Sequence, residues 1–361
     1  MAGEISTKRF NRAKKTGASK IEALNNAQKI AFAPFTFQIV ATMLELGILE
    51  FLSKKAGTLD EVEEKLKLSN YTVRTIFDAA LSIGLIEQTE NAKYTTTSLA
   101  DAFLYDEMTI VNFNFMKDVC YLGASALCES FLQSKPRGLQ KFFTGSPTIY
   151  PVLAHLNKQV KDSWYAFDHF YSNDCFDEIL KIIFKNFNGN TAQVFDIGGN
   201  TGNFARRCLE FDKNCTVTML DLPVNIEIAK QNISSPRCGF HSLDVLENKY
   251  PKMSGAVLMS QFLDCFSHTQ IVKILNAVAQ ASDDKTRIYI LEPFIDNQHF
   301  EGANYALTHI SLYFTTMANG VSKMYSEAEM LECIEESDLK MVKTHYDIGK
   351  HNYTLLECIK K

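Results

Sequence analysis

No apolar run in the chain approaches the ~20 residues that a helical membrane span needs. The N-terminus also lacks the hydrophobic segment of a signal peptide, so a cytoplasmic protein is expected. None of the nine cysteines stands at Cys-x-x-Cys spacing or joins a His/Cys cluster at zinc spacing. That excludes the common structural zinc sites and predicts reduced core thiols with no metal site. An excess of positive charge is absent too: Asp and Glu number 42 against 37 Lys and Arg, for a net charge of −5. A chain built around a polyanion would have the opposite balance. Both phosphate-gripping fingerprints are also missing. The one glycine-rich turn that follows a β-branched or aromatic run, Gly198-Gly199-Asn200-Thr201-Gly202, places Asn200 and Asn203 where a dinucleotide loop has its later glycines, and no Lys-Ser or Lys-Thr pair follows Gly202.

What is present is an ordinary globular composition, 46% hydrophobic and 22% charged over 361 residues, long enough for two domains or more. The segment Val194-Phe195-Asp196-Ile197 runs into the glycine turn and predicts a strand, a tight turn and a helix. Asp196 aims a negative charge at a turn whose glycines let a ligand lie against bare backbone. A cationic nucleoside suits this better than a phosphate ester. S-adenosylmethionine carries an ammonium and a sulfonium and no phosphate. Two further predicted strands end in acids. Cys215 to Leu220 leads to Asp221-Leu222-Pro223, at the distance where a second strand offers a carboxylate to ribose hydroxyls. Cys238 to Leu243 leads to Asp244-Val245, where a carboxylate can accept from an adenine amino group. Ligands of open α/β sheets sit outside the carboxyl ends of the strands, where these three acids are expected.

The rest of the chain divides by pattern. Residues 1–30 carry seven basic side chains (Lys8, Arg9, Arg12, Lys14, Lys15, Lys20, Lys29) against Glu4 and Glu22, and read as a solvated helical arm. Residues 31–105 form a different unit. One helix is expected from Phe35 to Leu52, a second capped at Thr58, a third from Ser69 through Leu81 ending at Gly84, and a hairpin from Ile86 to Thr97 with its turn at Asn91. Three helices and a hairpin predict a winged helix. DNA binding does not follow, because residues 31–106 hold six Lys or Arg against eleven Asp or Glu. A unit with this charge and these apolar faces pairs two subunits rather than binding nucleic acid. Residues 106–188 are helical and aromatic-rich, and Trp164, Phe167 and Phe170 are candidate walls for a flat substrate. Residues 189–361 alternate strand and helix and close on two strands near 340–348 and 353–359, which predicts a mostly parallel sheet with an antiparallel C-terminal edge.

With these motifs in place the chain resembles the cation-independent small-molecule O-methyltransferases that include the caffeate and hydroxyindole enzymes. The likeness covers nearly the whole length: the winged helix, the loop from Asp196 to Gly202, Asp221-Leu222-Pro223, and Asp244. It implies a Rossmann-like class I methyltransferase domain behind an N-terminal dimerisation domain, a homodimer, and S-adenosylmethionine held at Gly198, Asp221, Asp244 and Val245, with Asp196, Gly199, Gly202 and Leu222 in the same loops. Asn200 stands where the family has a further glycine.

The catalytic slots depart further from the family. Its histidine base follows the fourth strand, and that position falls on Asp264 in Met259-Ser-Gln-Phe-Leu-Asp-Cys-Phe-Ser267. Ser260 stands where a cofactor-contacting lysine is common. Glu292 matches one of two supporting carboxylates, and the second falls near Met324. His268, four residues after Asp264, is a candidate replacement base. The expected function is O-methylation of an aromatic or polyketide-like hydroxyl or carboxyl group, with Asp264 and Glu292 as catalytic residues. Two other readings remain open: a relative that binds S-adenosylmethionine without transferring its methyl group, and a winged-helix regulator, which the acidic balance disfavours.

Overall fold

The computed structural model describes residues 20–187, 191–247 and 249–361. Most of the basic arm lies outside the described residues. The part within them begins as the helix Lys20–Ala31. The chain divides into two compact units, one running to Ile110 and the other from Val111 to Lys361, so the aromatic segment belongs to the same unit as the sheet.

The first unit departs from expectation at one point. The helix expected over 35–52 is two helices, Ala33–Glu45 and Ile48–Lys54, bent by 66°. Gly47, at φ +71°, takes a left-handed conformation that stops the first helix and that a residue with a Cβ adopts at a cost. The apolar spacing alone did not show this, because both helices keep their buried faces in register through Met43, Ile48, Leu49 and Leu52. Helix Leu59–Leu66 starts at a capping box, where the Thr58 hydroxyl accepts from Glu61 N (3.2 Å) and the Glu61 carboxylate accepts from Thr58 N (2.8 Å). Ser69 caps helix Asn70–Ser82. The hairpin joins β1 (Ile86–Gln88) to β2 (Tyr94–Thr96) through Asn91 at φ +67°. No single helix among the described residues is long and apolar enough to cross a membrane.

The second unit is a seven-stranded sheet. Its strands are β3 (Gln193–Ile197), β4 (Thr216–Asp221), β5 (Cys238–Ser242), β6 (Ala256–Ser260), β7 (Arg287–Glu292), β8 (Leu339–Ile348) and β9 (Tyr353–Lys360). They lie in the order β5-β4-β3-β6-β7-β9-β8. Pairing is parallel from β5 to β7 and antiparallel from β7 through β9 to β8, as the closing pair of strands predicted. Central strands such as Ala256-Val-Leu-Met259 are apolar throughout because helices cover both faces of the sheet. Strand β3 is the switch point, with β4 on one side and β6 on the other, so the chain departs in opposite directions and leaves a crevice at the carboxyl ends. A third apolar cluster, with Phe115, Leu139, Tyr313, Phe314 and Met317, is built from the helical segment and from helix Glu301–Tyr313 with the turn after it. All nine cysteines are thiols, buried except for Cys128 and the half-buried Cys265.

Candidate active site

A cavity of about 890 Å³ opens at the carboxyl ends of β3 to β6. Its floor is the glycine turn. Gly198 N donates to the Leu220 carbonyl (2.8 Å), which draws the turn onto β4. Gly198 sits at φ +79°, and a Cβ there would collide with the Phe262 ring. A Cβ on Gly199 would collide with the Asp196 carboxylate. Asn200 occupies the slot of the missing glycine at φ +51°, a region that asparagine tolerates better than most residues. Its backbone N donates to Asp221 Oδ2 (2.8 Å), and Asp221 Oδ1 also accepts from Leu222 N (2.6 Å) and Asn225 Nδ2 (2.9 Å).

Asp196, Gly198, Gly199, Asp221 and Leu222 all line this cavity, as do Asp244, Val245 and Ser260. Gly202 does not. It caps helix Asn203–Phe211 at φ +88°, where a Cβ would strike Ile233, and borders a smaller pocket with Thr201 and Asn203. Asp196 is buried with Oδ2 unpartnered, and burial, reinforced by Asp221, pushes its carboxyl up to about 7. Burial also raises Asp221, against the hydrogen bonds from Asn225 and the two backbone amides. Ser260 Oγ and Gln261 Nε2 are buried on the same wall without partners.

The acceptor end is built around the turn 263–265. Asp264 lines the cavity there, buried, with Oδ1 unpartnered. Loss of solvation carries its carboxyl up to about 7. Glu292 is placed differently from Asp264. It lies behind the turn, outside the cavity lining, and its Oε1 accepts from Phe262 N (3.1 Å) and Leu263 N (2.9 Å). Its Oε2 is buried without a partner, and its carboxyl is held well above the usual range by burial and by Asp264. Met324 lines the cavity where the second family carboxylate was sought. His268 does not line the cavity: its ring meets Glu336 (2.9 Å) and Cys333 (3.4 Å).

Of the three candidate aromatic walls, Trp164 and Phe167 line the cavity. Trp164 Nε1 donates to the Tyr313 hydroxyl (2.7 Å), and Phe167 stacks on Phe115 with ring centres 4.1 Å apart. Phe170 does not line it; one helical step further on, it packs against His351 at 4.9 Å. The sequence reading missed Tyr150 and Asp168, which also face the cavity. Asp168 had a legible signal: it is the acid in Trp164-Tyr-Ala-Phe-Asp-His-Phe-Tyr171 and lies four residues after Trp164, on the same helical face. Tyr150 had none in its surroundings.

These features define a class I methyltransferase site. Bare backbone at two glycines, buried unpartnered oxygens on Asp196 and Ser260, and carboxylates on three adjacent strand ends fit S-adenosylmethionine and offer no phosphate its usual ligands. An O-methyltransferase domain model matches residues 172–337, and a Dimerisation2-like domain model matches residues 25–94. The two matches give the chain an O-methyltransferase domain behind a Dimerisation2-like domain, the arrangement of an S-adenosylmethionine-dependent O-methyltransferase. Acetylserotonin O-methyltransferase of Gallus gallus is 21% identical over 269 residues, covering 72% of this chain and 76% of that protein. Among solved structures, the S-adenosylmethionine-dependent methyltransferase SibL in its apo form superposes with a TM-score of 0.69 at 21% identity, covering 93% of this chain and 99% of that one. Mitomycin 7-O-methyltransferase MmcR gives 0.71 at 17% identity, covering 94% and 98%.

Proposed function

We propose that this O-methyltransferase acts on a hydroxyl or carboxyl group of a small aromatic or polyketide-like acceptor, with Asp264 receiving or directing the acceptor's proton. One observation carries the reading: a buried carboxyl with an unpartnered oxygen stands in an aromatic-walled cavity at the place where the family has histidine. The bound cofactor supplies an electrophilic methyl group on a sulfonium. The protein's task is to hold an acceptor oxygen in line with it at near-contact distance.

Burial changes what Asp264 can do. Full proton transfer from a phenol near ~10 to an aspartate at its ordinary ~3.9 is uphill by roughly 8 kcal/mol. With the carboxyl at about 7, the gap falls to about three units, or about 4 kcal/mol. That leaves a cost which transfer concerted with methyl attack can meet, and an acidic phenol or a carboxylic acid reduces it further. In this reading Asp196, Gly198, Gly199, Asp221, Leu222, Asp244, Val245 and Ser260 hold the cofactor. Trp164 and Phe167 flank the acceptor. Residues 31–105 pair two copies of the chain, 106–188 supply the acceptor walls, and 189–361 form the cofactor crevice of a cytoplasmic enzyme.

The test is incubation with methyl-deuterated S-adenosylmethionine and a panel of phenols and aromatic acids, read by mass spectrometry. Label on an acceptor oxygen supports the proposal. Cofactor retained on the protein with no labelled product across the panel would instead favour a relative that binds the cofactor and does not methylate.

A further inference from the structure

Asp168 belongs to no strand end and to no part of the glycine turn, yet it faces the same cavity from helix Lys158–Asn173. Its Oδ2 accepts from Asn200 Nδ2 (2.8 Å), and Oδ1 has no hydrogen bond among the described residues. The carboxylate is half-buried. It is near enough to Asp221 and to Asp264 to raise both of their carboxyls, so it stands between the ribose end of the crevice and the acceptor end. No lysine or arginine among the described residues pairs with it. Those on the cavity wall, Lys135 and Arg137, come from a single turn, and Arg137 is engaged by Gln133 and Glu129. His169 Nε2 is 4.0 Å from Oδ2 but is hydrogen-bonded to Thr201 (3.2 Å).

A half-buried carboxylate with an open oxygen, held on its other side by the cofactor turn, calls for a cationic donor. Between ribose and acceptor, that donor is the amino-acid tail of the cofactor. An ammonium brings three N–H groups, whereas a sulfonium brings none. We propose that Asp168 binds the α-ammonium of S-adenosylmethionine, with Asn200 fixing the carboxylate toward it. This rests on the cofactor identified above and adds a binding residue outside the strand-end acids.

Calorimetric titration of Asp168→Asn with three ligands tests it. S-adenosylmethionine has both charges, S-adenosylhomocysteine has the ammonium alone, and 5′-methylthioadenosine has no tail. The variant should bind the first two about tenfold to a hundredfold more weakly, the loss of one charge-assisted hydrogen bond. Methylthioadenosine should change by less than about twofold, and Asp168→Glu should regain part of the affinity. Equal weakening of all three ligands would mean that Asp168 only props the turn. Weakening of S-adenosylmethionine alone would assign Asp168 to the sulfonium, and unchanged affinity with a raised acceptor KM would assign it to the acceptor. Each of these overturns the proposal. Wild-type protein that binds none of the three would sink the functional reading itself.

Discussion

Replacing Asp264 by asparagine keeps the size of the side chain and removes its ability to take a proton. The carboxyl stands at about 7 because burial disfavours its charged form. Near pH 6 it is therefore mostly protonated and unable to act as a base, and near pH 8 it is mostly ionised. With a neutral phenol as acceptor, kcat/KM of the wild type should rise as pH passes through about 7 and then level off. Asp264→Asn should lose that rise and about a hundredfold to ten-thousandfold of kcat, the range that positioned general bases supply. The remaining cost, about 4 kcal/mol for a phenol near ~10, also predicts a graded response: acceptors two units more acidic should lose less to the substitution, since the deprotonation they need is about 3 kcal/mol easier. The assay is steady-state methyl transfer from pH 5.5 to 9 with a series of phenols of graded acidity. Turnover and a pH profile unchanged by the substitution would refute the reasoning and leave Asp264 as a residue that only shapes the turn.

Other expectations concern the cofactor end. Asp196, raised to about 7 by burial as Asp264 is, holds a proton in the unliganded site that a bound cation displaces. S-adenosylmethionine affinity should therefore increase from pH 6 to 8, with proton release seen as buffer-dependent binding heat. A pH-independent affinity would contradict this. The same raised values mean that the contribution of these groups to stability is complete below the unfolded carboxyl value and is lost as pH rises through about 7, so the melting temperature of the unliganded protein should fall between pH 5 and 8. Gly198→Ala puts a Cβ into the Phe262 ring at φ +79° and should abolish cofactor binding at a cost of about 1–3 kcal/mol in stability, measured by calorimetry and thermal melting. His268→Ala should leave kcat within about twofold, because that imidazole faces Glu336; a large loss would restore it as a base.

The sequence carried the strands and their acids because those signals are local. A β-branched run ending in an acid reads the same in the chain as in the sheet, and Asp196, Asp221 and Asp244 meet at one edge because parallel strands align their carboxyl ends. Caps were equally legible, as Thr58 with Glu61 and Ser69 show. Less was legible where a third dimension decides. Phe170 shares the composition of Trp164 and Phe167, and only its angle around the helix turns it from the cavity. Gly202 belongs to the glycine pattern but packs on Ile233. Glu292 sits at the strand end that the family pattern assigned, and what the sequence could not show is that one of its oxygens holds two backbone amides of the turn after β6. The break at Gly47 was hidden because the apolar stripe continues through it.

The most direct measurement of the central claim is competitive calorimetry of the wild-type protein with S-adenosylmethionine and with a dinucleotide such as NAD. Bare glycine backbone facing strand-end carboxylates predicts saturable binding of one S-adenosylmethionine per chain, unaffected by excess dinucleotide and lost in Gly198→Ala. Binding of the dinucleotide at that site, or no binding of S-adenosylmethionine by the intact chain, would contradict it.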